Sequence, residues 1–265
     1  MAGKTRVCVV RIEGSSGADE LYNAFAAVGA EAEKVHLKQL SGDCPAVLRR
    51  DLGEYDVLAL PGGMAGGNYV RPGAIMAARL KTQIGKELKG FVDSGKFVLG
   101  VNNGFQALAE LGLLPSGAFG KPTMAFICNP TGAYECRDTY VDVLDSRCAA
   151  LSAVPRAKCA HMPTAQMCGG IVFETKKVAG RLIDDGQIPF VYAKPEGDVP
   201  KELWNPSGIP EAVAAVCNPA GNVLGMMPMP QRAMTGYSEP GWNRKAHAEE
   251  GLGAAVLRSI VGNVR

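Results

Sequence analysis

The segment 100–106 reads Gly-Val-Asn-Asn-Gly-Phe-Gln and forces a sharp turn in the chain. An apolar stretch at 97–100 predicts a strand before it, and residues 105–111 predict a helix after it. Two glycines that flank a central residue between a strand and a helix are typical of the nucleophile elbow, a strained bend that presents the central side chain. That residue here is Asn102. Because a carboxamide is neither a nucleophile nor a base, the sequence predicts a catalytic architecture without its reacting atom.

Strands alternate with helices through the part of the chain that precedes the elbow. The predicted strands are 6–12, 32–37, 56–60 and 97–100, and the predicted helices are 18–28, about 73–80 and about 83–94. This alternation favours an α/β fold with a doubly wound, mainly parallel sheet. The ligand site of such a sheet lies at the carboxyl ends of its strands, where Gly62, Gly63 and Asn102 fall.

The second half of the chain has a different pattern. Segments 122–145 and 155–193 alternate short β stretches with turns, so we expect an antiparallel extension of the same domain. Beyond them we expect a surface loop at 194–210, a hairpin of 213–217 with 223–227, and a helix at 244–262. The chain is therefore predicted to form one domain over 1–265.

Composition excludes several classes of partner. The net charge is +2 and no long basic cluster is present, which argues against nucleic acid. No apolar run reaches the ~18 residues of a membrane span. The eight cysteines form no C-x-x-C pair, so neither a zinc site nor a disulfide framework is expected. Reduced cysteines and an N-terminus without a signal peptide favour a cytoplasmic protein, and no cofactor or metal is predicted.

Four segments together carry a family resemblance. They read V-V-R-I-E-G at 9–14, L-P-G-G at 60–63 followed by N-Y-V-R-P-G-A-I at 68–75, G-V-N-N-G-F-Q at 100–106, and N-V-L-G-M-M-P-M-P-Q-R-A at 222–233. The chain resembles the glutaminase subunits of phosphoribosylformylglycinamidine synthases, which are class I glutamine amidotransferases of purine biosynthesis. The resemblance implies the flavodoxin-like fold of that class and a synthetase-type large subunit as partner.

The same resemblance implies that the catalytic triad is replaced. The family's cysteine nucleophile corresponds to Asn102, its general base histidine to Met229, and the glutamate that orients the histidine to Gln231. The family's aspartate in the 60–75 loop corresponds to Asn68. Of an H-G-E-G-R-like segment in the family only His161 persists. We therefore expect no glutaminase activity.

Other parts of the family's pocket are retained. The resemblance implies an oxyanion hole formed by the backbone amides of Gly62, Gly63 and Asn103. We expect the former glutamine pocket to comprise seven residues: Gly62, Gly63, Asn68, Arg71, Asn102, Asn103 and His161. Arg71 and Arg232 are interpreted as structural ion-pair or partner-facing residues rather than catalytic ones.

Three interpretations of function remain open, besides an active glutaminase that works through an unforeseen residue. The first is a pseudo-glutaminase, a non-catalytic subunit of an ATP-dependent amide- or amidine-forming ligase that docks on the synthetase. Its interface would lie near 64–72, 102–106 and 226–233, with Met64, Tyr69, Met229 and Met234 as candidate contact residues. These methionines would equally fill the volume left by an inactive site.

The second is a small-molecule binding or sensing protein that uses the former pocket. The third is an enzyme with chemistry relocated to Cys159, Cys168 or His161. Asn102 itself either only keeps the turn, since asparagine tolerates positive φ, or binds a ligand.

Overall fold

The structure, a computed structural model, describes residues 3–129, 131–195, 204–244 and 249–264. Its strands are β1 (Arg6–Arg11), β2 (Glu31–His36), β3 (Val57–Leu60), β4 (Phe97–Val101), β5 (Met124–Ile127), β6 (Glu135–Arg137), β7 (Tyr140–Val143), β8 (Ala160–His161), β9 (Thr164–Gln166), β10 (Gly170–Phe173), β11 (Phe190–Ala193), β12 (Ala215–Cys217) and β13 (Val223–Met226). Its α-helices are α1 (Ala18–Ala27), α2 (Leu37–Ser41), α3 (Ala74–Asp93), α4 (Asn103–Glu110), α5 (Val178–Asp184) and α6 (Leu252–Asn263).

A six-stranded sheet forms the centre, in the order β12–β13–β4–β3–β1–β2. All neighbours are parallel except β12 and β13, which are antiparallel. The predicted doubly wound, mainly parallel sheet is therefore confirmed. The carboxyl ends of β1, β3, β4 and β13 lie at one edge of the sheet, and the loops that follow them build the site.

The predicted antiparallel extension is also confirmed. It consists of three small sheets, in which β5 pairs with β10, β6 pairs with β9, and β7 lies between β8 and β11. Helix α5, of seven residues, interrupts this region. We expected a surface loop at 194–210, but its described part is partly buried. Ser207 is buried, and its carbonyl accepts a hydrogen bond of 2.9 Å from the amide of Ile171.

The central strands are apolar on both faces. Along β1, Val7 and Val9 pack on one side of the sheet with Leu99, while Cys8 and Val10 pack on the other. All five side chains are fully buried. Strands covered on both faces need continuous apolar sequence rather than alternation, which explains why β1, β3 and β4 are recognisable from the sequence.

Two helix predictions need correction. The segments at 73–80 and 83–94 form one helix, α3, with a distortion at Ile84, where φ is −138° and ψ is 24°. The burial of Leu80, Ile84 and Leu88 on one face holds both halves against the same core. The C-terminal helix α6 begins at Leu252, and Ala248 lies outside the described residues. Within the described part of the chain, no helix combines the length and apolar character needed to cross a membrane.

Candidate functional site at the elbow

The elbow has the backbone geometry that its sequence predicts. Asn102 connects β4 to α4 with φ 53° and ψ −110°. Its amide donates to the carbonyl of Met226 at 2.8 Å, which ties the bend to the end of β13. A Cβ at Gly104 would lie only 2.1 Å from the carbonyl oxygen of Leu60, so glycine is required for α4 to approach β3. The bend is thus fixed by close packing of backbone as well as by its own turn.

The side chain of Asn102 is enclosed and hydrogen-bonded at both ends. It is 5% exposed. Its Oδ1 lies 3.4 Å from the amide nitrogen of Gly63, which donates to it. Its Nδ2 donates to the carbonyl of Ala165 at 3.1 Å and contacts Sδ of Met227 at 3.4 Å. The carboxamide oxygen therefore engages the amide of Gly63, which the family resemblance assigns to an oxyanion hole.

The Gly62-Gly63 turn is held by the loop after β1. Gly63 has φ 134°, and a Cβ there would lie 2.4 Å from the carbonyl oxygen of Gly14. Gly17 donates to the carbonyl of Gly62 at 3.1 Å, and Met64 donates to Gly14 at 3.0 Å. The turn therefore has a fixed position, independent of the residues at the triad positions.

A network of neutral amides extends from the elbow. Oδ1 of Asn103 accepts from the amide of Ala65 at 3.1 Å, and its Nδ2 donates to Oδ1 of Asn68 at 3.2 Å and to Oε1 of Gln106 at 2.8 Å. Nε2 of Gln106 donates to the carbonyl of Cys168 at 2.6 Å. The network positions the pocket wall without any ionised group.

The two other triad positions hold no proton acceptor aimed at the elbow. Met229 is 4% exposed, and its Cε lies 3.5 Å from where a Cβ at Gly62 would be. Gln231 is 8% exposed, and among the described residues neither its Oε1 nor its Nε2 has a hydrogen-bond partner. Met229 thus fills space beside Asn102, and Gln231 is left as an orphaned polar group.

A cavity of about 220 Å³ opens above the elbow. Its lining includes Gly63, Asn68, Asn102, Gln106, Gln166 and Met229. Arg232 and Glu20 also line it and form a fork-like ion pair, with Nε–Oε2 at 2.8 Å and Nη2–Oε1 at 2.9 Å. The interpretation of Arg232 as an ion-pair residue fits this contact.

Two expected pocket residues lie elsewhere. His161, on β8, faces a separate cavity that Cys159 and Glu250 also line, and its Nε2 lies 2.7 Å from Oδ1 of Asp138. The expectation that it joins the elbow pocket is wrong, because β8 pairs with β7 and carries the side chain away from β4. Arg71 is 57% exposed and holds Glu110 through bonds of 2.7 and 2.6 Å, which raises the pKa of the guanidinium.

The candidate cysteines are separated in the same way. Cys168 lines the elbow cavity, whereas Cys159 lies in the His161 cavity and its Sγ donates to the carbonyl of Lys194 at 2.7 Å. Burial, and then the contact with Cys128, raises the pKa of Cys168 to about 11. Such a thiol is almost fully protonated at neutral pH, which argues against an activated nucleophile there.

The described residues contain no cluster of metal-ligating side chains.

Gln166 and Glu20 are pocket residues that the sequence did not single out. Gln166 lies on β9, which pairs with β6, and its side chain lines the elbow cavity. The two strands are distant in sequence, so no local motif indicates that Gln166 belongs to the site. Within the described chain, its Nε2 is a buried donor with no acceptor, although its Oε1 accepts from Thr164 at 2.6 Å. This nitrogen packs against Gly169, because a Cβ built there would lie only 1.8 Å from it, so the unpaired donor does not itself face the cavity.

Comparison with known proteins gives one consistent answer. The profile of the CobB/CobQ-like glutamine amidotransferase domain matches residues 4–259. The PurQ subunit of phosphoribosylformylglycinamidine synthase from Archaeoglobus fulgidus is 35% identical, covering 97% of this chain and 96% of that protein. The PurQ subunit from Picrophilus torridus is 34% identical, covering 96% and 97%. The solved structure of PurLQS from Thermotoga maritima matches with a TM-score of 0.73 and 27% identity, covering 99% of this chain and 100% of that chain.

Proposed function

Since the chain belongs to the glutamine amidotransferase family that includes the PurQ subunits of phosphoribosylformylglycinamidine synthases, we propose that it is a catalytically inactive member, a pseudo-glutaminase. In this role it docks on a synthetase-type large subunit and stabilises it or shapes its ammonia entry. The synthetase then uses free ammonia or another donor.

The observation that carries the proposal is the bonding of Asn102. A nucleophile must be free to attack, and a general base must lie within hydrogen-bond reach of it. Asn102 instead accepts from Gly63 and donates to Ala165, and the position of the base is filled by the thioether of Met229. These contacts support a pocket that holds the turn and does not cleave an amide bond.

The proposed partner follows from the relatives and from the surface beside the cavity. The similar proteins are named as subunits of a synthase, and the similar structure is that of PurLQS. Next to the cavity, Met64, Tyr69 and Val70 are 48%, 89% and 69% exposed. Exposed apolar and aromatic side chains that adjoin one another suit a protein interface. Met229 and Met234 do not contribute, because the first is buried and the second is partly buried against the core.

A co-purification experiment tests the docking. The synthetase large subunit of the same organism is expressed with the tagged chain, with its Tyr69→Asp variant, or with Val47→Asp. Val47 is an apolar side chain 84% exposed that does not line the cavity, so it provides a matched control. We expect the wild type and Val47→Asp to retain the large subunit and Tyr69→Asp to lose it. Retention by all three, or by none, contradicts the proposal.

A second candidate function is small-molecule binding, and the amide side chains that line the elbow cavity favour it. Asn68, Asn102, Gln106 and Gln166 line the cavity beside the ion pair of Glu20 and Arg232, an amide-rich lining that suits a carboxamide or carboxylate. Calorimetric titration with glutamine, glutamate and asparagine tests this candidate. Binding that weakens at least tenfold in Gln166→Met supports it, and no heat from any of the three at millimolar concentration contradicts it.

A further inference from the structure

Two cysteines meet where the pairing of β5 with β10 ends. In the ladder Ile127 lies opposite Gly170. Continued without change, this register would set Asn129 opposite Cys168. The amide of Asn129 instead donates to the carbonyl of Met167 at 2.9 Å, so the pairing is shifted by one residue. The shifted register sets Cys128 opposite Cys168, and their Sγ atoms lie 3.9 Å apart.

This arrangement suits a disulfide. In an antiparallel pair, residues that do not exchange hydrogen bonds have Cα atoms roughly 4.5 Å apart, inside the range of about 4.4–6.8 Å that disulfides span. Closure to an S–S distance of roughly 2.05 Å then needs movement of the side chains more than of the strands. Gly170 allows the close approach of the two strands, because a Cβ there would lie 2.8 Å from Cγ1 of Ile127.

The two thiols differ in accessibility. Cys128 is exposed, whereas Cys168 is 8% exposed and lines the elbow cavity. A dissolved oxidant therefore reaches Cys128 first, and the neighbouring Cys168 is placed to resolve the product. Because the pKa of Cys168 is raised to about 11, only a small fraction of this thiol is ionised at neutral pH and its attack is slow. Its Sγ nevertheless lies close to that of Cys128, which favours the reaction between them.

We propose that Cys128 and Cys168 form a reversible disulfide by exchange with a small-molecule disulfide such as oxidised glutathione. The Cys128 thiolate attacks one glutathione sulfur, which forms a mixed disulfide and releases glutathione thiolate. The Cys168 thiolate then attacks the Cys128 sulfur, the protein disulfide forms, and the second glutathione leaves. The protein loses two electrons and two protons, and one oxidised glutathione becomes two reduced ones.

The crosslink would act on the elbow pocket. The carbonyl of Cys168 accepts from Gln106, which bonds to Asn103 in the α4 amide network. A bond from Cys168 to Cys128, the residue after β5, therefore anchors one wall of the cavity to the end of the two-stranded sheet of β5 and β10. The inference is independent of whether the chain docks on a synthetase.

The test uses the full-length protein in glutathione buffers of increasing oxidation, quenched by alkylation and mapped by mass spectrometry. We expect a peptide crosslinked between Cys128 and Cys168 and a mass loss of two hydrogens. Cys136 serves as control, because it is exposed and lies opposite Ala165 in its ladder, so it should stop at the mixed disulfide. In Cys168→Ser the mixed disulfide should accumulate at Cys128.

Rates give a second readout. The resolving step should speed up about tenfold for each pH unit between pH 7 and 9, since the thiolate fraction of Cys168 rises tenfold per unit below its pKa. The proposal is overturned if wild-type Cys128 accumulates the mixed disulfide as Cys136 does, or if oxidised Cys168 is found bonded to a different cysteine.

Discussion

The amide of Gly63 donates a hydrogen bond to the carboxamide oxygen of Asn102, 3.4 Å away. The family resemblance assigns this turn to an oxyanion hole and the position of Asn102 to the nucleophile, so the contact joins two parts of the proposed former active site. The loop after β1 already holds this turn, and the carboxamide of Asn102 adds one further contact to it. The proposed loss of chemistry and part of the stability of the elbow therefore depend on the same side chain.

Removal of the carboxamide should destabilise the protein. We expect Asn102→Ala to lower the free energy of unfolding by about 3 kcal/mol, since two buried hydrogen bonds are lost at about 1 kcal/mol each and alanine at φ 53° adds about 1 kcal/mol of backbone strain. Asn102→Gly loses the same bonds but tolerates φ 53°, so it should be the more stable variant by about 1 kcal/mol. Urea unfolding of both variants measures this. Equal stability of the two would contradict the role of positive φ.

Gln231 should be a residue whose replacement stabilises the chain. Its Oε1 and Nε2 are buried without partners within the described residues. Gln231→Met keeps the side-chain length and removes both orphaned groups, so the free energy of unfolding should rise by about 1 kcal/mol. Gln106→Met is the contrast, because Gln106 bonds to Asn103 and Cys168, and it should destabilise. A loss of stability in Gln231→Met would show that a partner exists in solution.

Acid stability should depend on Glu33. Burial acts to raise its pKa, but the hydroxyl of Tyr55 at 2.5 Å and the guanidinium of Arg50 at 2.6 Å outweigh burial and lower it below the ordinary 4.5. The ionised carboxylate therefore stabilises the fold above that ordinary value, and this stability is lost as the pH falls through the lower, folded pKa.

The measurement compares unfolding of the wild type and Glu33→Gln from pH 7 to pH 3. The variant should be less stable at pH 7, and the difference should shrink as the pH falls below 4.5. Glu31→Gln, at an exposed position on the same strand, should follow the wild type throughout. A difference that stays constant down to pH 3 would contradict the shift.

Restoration of the nucleophile alone should fail. Asn102→Cys places a thiol at the elbow, but Met229 offers no base and a thiol near its ordinary pKa of about 8.5 is mostly protonated. The triple variant Asn102→Cys, Met229→His, Gln231→Glu returns all three groups to a pocket whose Gly62-Gly63 turn is intact. Glutamate release should stay at background in the single variant and become detectable in the triple one. Efficient release by the single variant would reveal another base.

The sequence predicted the central sheet and the elbow because both have local signals. Buried parallel strands are continuous apolar runs, and a glycine on each side of Asn102 specifies the bend. The outer wall of the pocket lacked such signals. Gln166, Cys168 and Cys128 meet through antiparallel pairing between segments distant in sequence, and His161 was misplaced for the same reason. The sequence pattern predicted two helices where the structure has the single helix α3, which continues through a local distortion at Ile84.

The most direct test of the central claim is glutamate release from glutamine by the chain assembled with a formylglycinamidine synthase-type large subunit. Loss of an activated nucleophile alone commonly costs about 10⁶ in turnover. We therefore predict release at the rate of the uncatalysed control, with product formed from ammonium salts instead. Glutamine-dependent turnover within about tenfold of the roughly 10 s⁻¹ of an ordinary enzyme would contradict the account.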